Sequence, residues 1–262
     1  MSPVDVVILT WNDGLLLRHA VDSVLGSVGV DARIIIVDNG SDDALNLPSH
    51  PSITLIRNDV NRGVAGGRNQ GVQQGSAPYV LLLDSDARLV PDALAAMLTQ
   101  LIEHPDIAVI GPVFVGQRPS ESGGAAPTFR TKVDRLRGAR STYVGREEPE
   151  GDAWDVDVVI GACQCIRRSA YDRVNGIDER YFYGPEDVDF CMRLRNAGWR
   201  VQQLAAAKVH HPPRRRNRSL FTRRGVAHAW AVTQFLWRHR GFGREDRGFD
   251  ENWRDVEKPV SP

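Results

Sequence analysis

Short apolar runs recur through the first third of the chain, at 4–9, 33–37, 53–56 and 79–83, and each is nearly continuous rather than alternating with polar residues. A strand apolar on both faces belongs in a parallel sheet with helices packed on each side. The stretches 15–25, 64–74 and 92–103 carry helical patterns and supply those helices. Pro91 and Asp92 make a helix start, and Pro105 closes that helix before a further strand over 107–110. The pattern predicts an α/β unit built on a Rossmann-like, mostly parallel sheet. Residues 116–127 are rich in Gly, Ser and Pro, and 138–155 are polar and charged, so both read as loops. A second structured stretch covers 156–211, with a strand over 156–160 and a helix over 188–197 that Gly198 ends. A basic, Trp-containing helix over roughly 220–239 follows, then a polar tail with little to bury.

Polar residues gather where the strands end. The first strand exits into Thr10, Trp11 and Asn12, the second into Asp38, Asn39, Gly40 and Ser41, and the fourth into Asp84, Ser85 and Asp86. In open parallel sheets the carboxyl ends of the strands form the ligand-binding rim. Each cluster alone also suits an ordinary turn, and it is their shared rim that points to a site. Asp84 and Asp86 repel one another unless a cation lies between them, and hard carboxylate oxygens favour Mg2+ or Mn2+, which can bridge nucleotide phosphates. The glycine-rich segment from Asn61 to Gly71 carries Arg62 and Arg68 at a strand-to-helix junction. It admits two readings: a phosphate cradle of helix-start amides and guanidinium, or glycines for close helix–sheet packing. Glu186 and Asp187, beside Tyr181, Phe182 and Tyr183, open the later helix. They either cap it or supply a general base, whereas Asp189 and Arg193 are spaced as an ion pair on one helix face.

Composition narrows the classes. The 262 residues are 42% hydrophobic and 25% charged, with 33 basic and 33 acidic residues, which excludes a disordered chain. No apolar run has the roughly 18 residues of a membrane span. Cys163, Cys165 and Cys191 lack disulfide or zinc-knuckle spacing, so a soluble protein of the reduced cytoplasm is expected. The balanced charge is unevenly spread: between Lys208 and Arg247 stand ten Arg and one Lys against Glu245 and Asp246. Such an end suits an acidic surface, either anionic lipid or a phosphate-bearing substrate.

Taken in order, the stretches Val7 to Asn12, Val37 to Ser41, Asn61 to Gly71, Leu83 to Asp86, Gly161-Ala162, Gly176 to Glu179, and Glu186 to Asp189 with Arg193 and Gly198-Trp199 resemble the family-2 inverting glycosyltransferases of the GT-A fold. The resemblance is nearest to the bacterial rhamnosyltransferase branch of cell-envelope polysaccharide biosynthesis, which acts on polyprenyl-linked sugars. It implies a catalytic domain over 1–211, divided into a nucleotide-sugar-binding half (1–112) and a smaller, mixed acceptor-binding half (113–211). A basic aromatic helix (212–242) and a polar tail (243–262) complete the chain. By the resemblance, Thr10, Asn12, Asp38, Asn39, Arg68, Asp84 and Ser85 bind the nucleotide sugar. Arg68 approaches the diphosphate, Asp86 is the direct ligand of Mn2+ or Mg2+ with Asp84 near it, and Asp187, with Glu186, provides the catalytic base. A His after the last strand also meets the metal; His211 aligns better there, and His210 is the alternative. The reaction implied is a single displacement in which Asp187 takes the acceptor proton and the cation stabilises the departing nucleoside diphosphate.

The expected partners are a UDP- or dTDP-sugar donor and a hydroxyl acceptor, either a lipid-linked glycan or a small metabolite. Two other classes stay in view: a nucleotidyltransferase making nucleotide sugars, and a non-catalytic sugar-nucleotide-binding protein. Asn12-Asp13-Gly14 lacks the Gly- and Lys/Arg-rich loop of the first, and retention of Asp84, Asp86 and Asp187 together argues against the second. A dehydrogenase would need its glycine fingerprint after the first strand. The basic helix either lies on anionic membrane at the inner face of the plasma membrane or packs its apolar face on the catalytic domain. No nucleic-acid partner is expected, since no binding module accompanies the charge.

Overall fold

Two faces of apolar side chains on the central strands force the sheet into the middle of the molecule. The computed structural model describes residues 2–42, 44–126 and 151–212, and 231, 233–235 and 237–239 of the C-terminal segment. Its elements run β1 (Pro3–Thr10), α1 (Gly14–Leu25), β2 (Asp31–Asp38), β3 (Ile53–Arg57), α2 (Gly63–Gln73), β4 (Tyr79–Asp84), β5 (Arg88–Leu89), α3 (Ala93–Glu103) and β6 (Ile107–Phe114). Then follow α4 (Pro119–Ser122), β7 (Gly123–Gly124), β8 (Ala153–Asp155), β9 (Val158–Val159), β10 (Cys163–Arg167), α5 (Arg168–Arg173), α6 (Glu186–Asn196) and β11 (Arg200–His210).

The main sheet has nine strands in the order β3-β2-β1-β4-β10-β6-β11-β5, with β8 also paired to β11. β3, β2, β1, β4, β6 and β11 are parallel, and β10, β5 and β8 run against them. Neighbouring residues of β1 serve opposite faces, as a two-residue period requires. Val6 and Ile8 pack with Leu17, Val21, Leu94 and Met97, whereas Val7 joins Ile35, Val72, Tyr171, Phe190 and Leu194. Helix α2 lies unusually close to β1 because glycines face the strand. A Cβ on Gly67 would stand 2.4 Å from Leu9 Cδ1, and one on Gly71 would stand 2.3 Å from Val7 Cγ1. Close packing is therefore what these glycines serve.

The structure departs from the sequence pattern in its second half. The strand expected over 156–160 is only the short β9, paired to β7 outside the main sheet. The strand that fills the sheet is β10, buried from Cys163 to Ile166 between β4 and β6. Its Gln164 and two cysteines hid it from a hydrophobicity pattern; pairing on both sides makes it a strand. Asp92 does precede α3, but its side chain makes no capping bond. The tail over 243–262 and most of the basic helix lie outside the described residues. Of that helix, Ala231 and Phe235 are buried against the Val72–Phe190 side of the core, while Trp237 is 80% exposed.

Asp5 staples three separate segments. Its buried Oδ2 accepts from Ala77 N at 2.8 Å and from Arg168 Nη2 at 2.8 Å, joining β1, the approach to β4 and the start of α5. Removing one partner of such a pair leaves the other charge poorly solvated. Asp5→Ala is expected to lower unfolding free energy by roughly 3 kcal/mol, and Asp5→Ala with Arg168→Met to recover part of that loss, as read by urea denaturation.

Candidate active site

Register brings the strand ends level. Thr10 pairs with Asp38, and Leu9 with Asp84, so β1, β2 and β4 open on one edge. Asp84 ends β4; Ala87 N donates to its carbonyl at 3.0 Å, and that turn presents Asp86 on the same side. His211 follows β11. Ligand atoms of Asp84, Asp86 and His211 all lie within 4.8 Å of one another, with His211 Nε2 3.5 Å from Asp86 Oδ1. The Phe114 ring flanks the imidazole at 5.1 Å between centroids. His210 is exposed at the end of β11, where it pairs with Arg88, and is not part of this group.

Arg68 links these groups to the second carboxylate pair. Its side chain is only 4% exposed, and Nη2 donates to Asp84 Oδ1 at 2.7 Å and to the Gly161 carbonyl at 2.8 Å. Nη1 stands 3.7 Å from Glu186 Oε1. Gly161 N in turn donates to Asp187 Oδ2 at 3.0 Å, and Val188 N to Asp187 Oδ1 at 2.8 Å. A side chain at position 161 would meet Arg68 Nη1 at 2.9 Å and Asp187 Cβ at 3.2 Å, so only glycine lets the guanidinium and α6 approach. Gly184 N donates to Glu186 Oε2. Burial, and after it the neighbouring Asp187 charge, raise the Glu186 carboxyl well above its ordinary value, with Arg68 only partly opposing them.

On the other side of the rim, Asp38 is fully buried. Its Oδ1 accepts from Ser41 N at 3.0 Å, and Oδ2 lies 3.2 Å from Arg57 Nε. Thr10 Oγ1 is buried beside it without a hydrogen-bond partner among the described residues. Asn12 takes a left-handed φ of 55° and clasps the β2 exit, its N donating to Ser41 Oγ at 2.9 Å. Ser85 Oγ donates to Asp13 Oδ2 at 3.4 Å.

The family model "Glycosyl transferase family 2" matches residues 5–174, well over half of the chain, and "N-terminal domain of galactosyltransferase" matches 154–214. The chain belongs to glycosyl transferase family 2. It is 26% identical to an N-acetylglucosaminyl-diphospho-decaprenol L-rhamnosyltransferase of Mycobacterium tuberculosis, over 91% of this chain and 86% of that protein. It is 31% identical to a pre-mycofactocin glycosyltransferase of the same species, over 84% of this chain but 45% of that protein. Among solved structures, GalNAc-T7 with UDP, GalNAc and Mn2+ superposes with a TM-score of 0.67 at 15% identity, covering 90% of this chain. The chain spans about half of that structure's length, 49%. The fold is GT-A, and the protein is a glycosyltransferase.

Within the transferase, three groups expected at the donor are engaged, at least in part, by the chain itself. Asn39, expected at the nucleotide, has both ends of its amide engaged. Its Nδ2 donates to Asn61 Oδ1 and the Gly63 carbonyl, each at 3.0 Å, and its Oδ1 accepts from Arg62 N at 3.0 Å. At the start of α2, one reading of which was a phosphate cradle, the first two amides are engaged: Gly63 N donates to Asn61 Oδ1 at 2.8 Å and Val64 N to the Phe182 carbonyl at 2.8 Å. Arg68, expected to approach a diphosphate, places Nη2 on Asp84 and the Gly161 carbonyl, while its buried Nη1 has no hydrogen-bond partner among the described residues. Sequence reasoning noted Gly161 but not its contacts, because Arg68 and Gly161 are 93 residues apart and no local spacing links them. The ion pair expected between Asp189 and Arg193 is present at 2.6 Å.

Because the folded protein raises Glu186, the protonated form is favoured on folding. Its stabilising effect is complete below the ordinary value of 4.5 and is lost as pH rises toward neutrality. Glu186→Gln removes that loss. The variant is expected to gain stability relative to the parent as pH rises from 4.5 to neutrality, then to hold a constant difference, in denaturant melts across pH.

Proposed function

We propose that this protein is an inverting glycosyltransferase that moves a sugar from a UDP- or dTDP-sugar to a hydroxyl of a lipid-linked glycan. One observation carries the reading: Arg68 joins a potential cation group, Asp84, Asp86 and His211, to the carboxylate pair Glu186 and Asp187. Two carboxylates and an imidazole within 4.8 Å are a donor set that suits Mn2+ or Mg2+. A cation held there supplies Lewis-acid stabilisation of the charge on the departing diphosphate. The Mn2+ of the GalNAc-T7 structure supports this assignment.

Asp187 is the base. Each of its oxygens accepts one backbone N–H, which fixes the carboxylate yet leaves lone pairs for an acceptor hydroxyl. It is less buried than Glu186, which stands behind it against Arg68. One base, with no nucleophile forming a covalent intermediate, gives a single displacement and inversion at the anomeric carbon. Thr10 and Asp38 line the nucleotide side with Asn12 and Ser85, and Thr10 Oγ1 and Asp38 Oδ2 are buried there without a hydrogen-bond partner among the described residues. Arg68 and Asn39 shape the site from behind. The name of the rhamnosyltransferase relative supports a deoxyhexose donor and a diphospho-polyprenol acceptor.

The Arg-rich segment and exposed Trp237 support peripheral contact with anionic membrane at its cytoplasmic face. No helix among the described residues is long and apolar enough to cross a membrane.

The test is donor turnover across a panel of nucleotide sugars with Mn2+, with Mg2+ and with chelator. Nucleoside diphosphate is expected from one donor only when metal is present, and Asp86→Ala and His211→Ala are expected to raise the metal concentration needed. Asp187→Asn is expected to lower transfer about 100-fold or more, the usual share of a general base, while nucleoside diphosphate still binds. Release of nucleoside monophosphate or pyrophosphate would overturn the reading in favour of nucleotidyl transfer. Metal-dependent nucleotide binding without turnover of any donor would favour a non-catalytic binding protein.

A further inference from the structure

We infer that His239 is a positioning residue for the Glu186–Asp187 pair, acting through Asp189; the inference rests on Asp187 being the base. Asp189 lies in the first turn of α6 and its carboxylate is wholly buried. Arg193, from the same helix, donates to Oδ2 at 2.6 Å. Oδ1 is held from elsewhere: His239 Nε2 donates to it at 2.9 Å, Tyr181 Oη lies at 3.4 Å and Arg238 Nη1 at 3.6 Å. His239 and Arg238 belong to the C-terminal segment, beyond the residues 5–174 and 154–214 that the two family models match.

The segment is itself anchored. Phe235 and Ala231 are buried in the cluster that holds Val188, Cys191 and Leu194 of α6. The rings of Phe235 and His239 stand 4.7 Å apart between centroids, which fixes the imidazole, and Arg238 donates to Asp178 of the loop before α6. Hydrogen bonds from His239 and Arg193 outweigh the burial that would raise Asp189 and hold its carboxyl below the ordinary value, so it is an anion in the folded protein.

The geometry explains what such an anchor does. Successive helical residues turn by about 100°, so Asp189 and Asp187 point to nearly opposite sides of α6, about 200° apart. Gly161 N grips the Asp187 side at 3.0 Å, and His239 grips the Asp189 side. Arg193 ties the helix further along to the Val174 and Gly176 carbonyls at 2.6 and 2.8 Å, and the His239 contact adds a hold on its first turn, on the side opposite Gly161, against rotation about the helix axis. Loss of the C-terminal grip lets the first turn roll and displaces Asp187 from a position that must be held to fractions of an ångström.

The experiment uses the full chain with His239→Ala and His239→Gln, since Gln keeps a donor to the carboxylate. Hydrogen exchange of peptides covering 184–191 reads the anchor without requiring activity; kcat and donor KM read its consequence; thermal melts give the folded fraction. His239→Ala is expected to speed exchange in 184–191 but not in α1, and to lower kcat roughly 10- to 100-fold with donor KM unchanged. His239→Gln is expected to restore both. Unchanged exchange in His239→Ala would overturn the inference whether or not sugar transfer is seen. A kcat loss that merely tracks loss of folded protein, equal in both variants, would overturn it too. Faster exchange in His239→Ala, when the wild-type protein itself transfers no sugar, would leave the anchor standing and place the failure in the proposed activity.

Discussion

The site depends on one buried cation. A guanidinium out of water is costly unless its hydrogen-bonding fork is met by charge and carbonyls. Arg68 is met by Asp84, by the Gly161 carbonyl and by the nearby Glu186. The planar fork reaches two ways at once, so it sets the spacing between the β4 exit and the first turn of α6. Without it, Asp84 and Glu186 would face each other uncompensated across the same gap.

That arrangement rests on packing several layers away. Arg68 rides on α2, and α2 sits low enough to bury it because Gly67 and Gly71 bring the helix onto Leu9 and Val7. Gly161 does the same from the opposite side, and it is carried there by the turn before β10, where Asp84 N also donates to the Ala162 carbonyl at 2.9 Å. Antiparallel β10 thus brings the later part of the chain to the rim built by the parallel strands. Small residues and one reversed strand, rather than a dedicated loop, make the two carboxylate groups neighbours.

The same contacts carry a stability cost. Glu186 is buried beside Asp187 and against Arg68, and its raised carboxyl disfavours folding as pH rises. Local rules broken at one place and offset by neighbours are typical of functional sites. Around it, the first two amides of α2 donate to Asn61 Oδ1 and to the Phe182 carbonyl, which ties the helix start to the loop before α6.

The amino-acid sequence by itself determined the elements with strong periodicity. The first four parallel strands, the helices between them, and the helix carrying Glu186 and Asp187 follow from apolar runs and helix stops, because those signals are local and the burial they demand has few solutions. The carboxylates at strand ends were equally legible, since a strand's end is fixed by its own residues. What only the tertiary structure decided is everything that needed a distant partner. β10 is a strand because β4 and β6 flank it. His211 rather than His210 joins Asp86 because of how β11 ends against β5 and β6. Asn39 and Arg68 tie the rim together because their amide and guanidinium find partners 16 to 93 residues away. Composition and spacing name which groups can make such bonds, but desolvation and geometry choose among them only once the chain has folded.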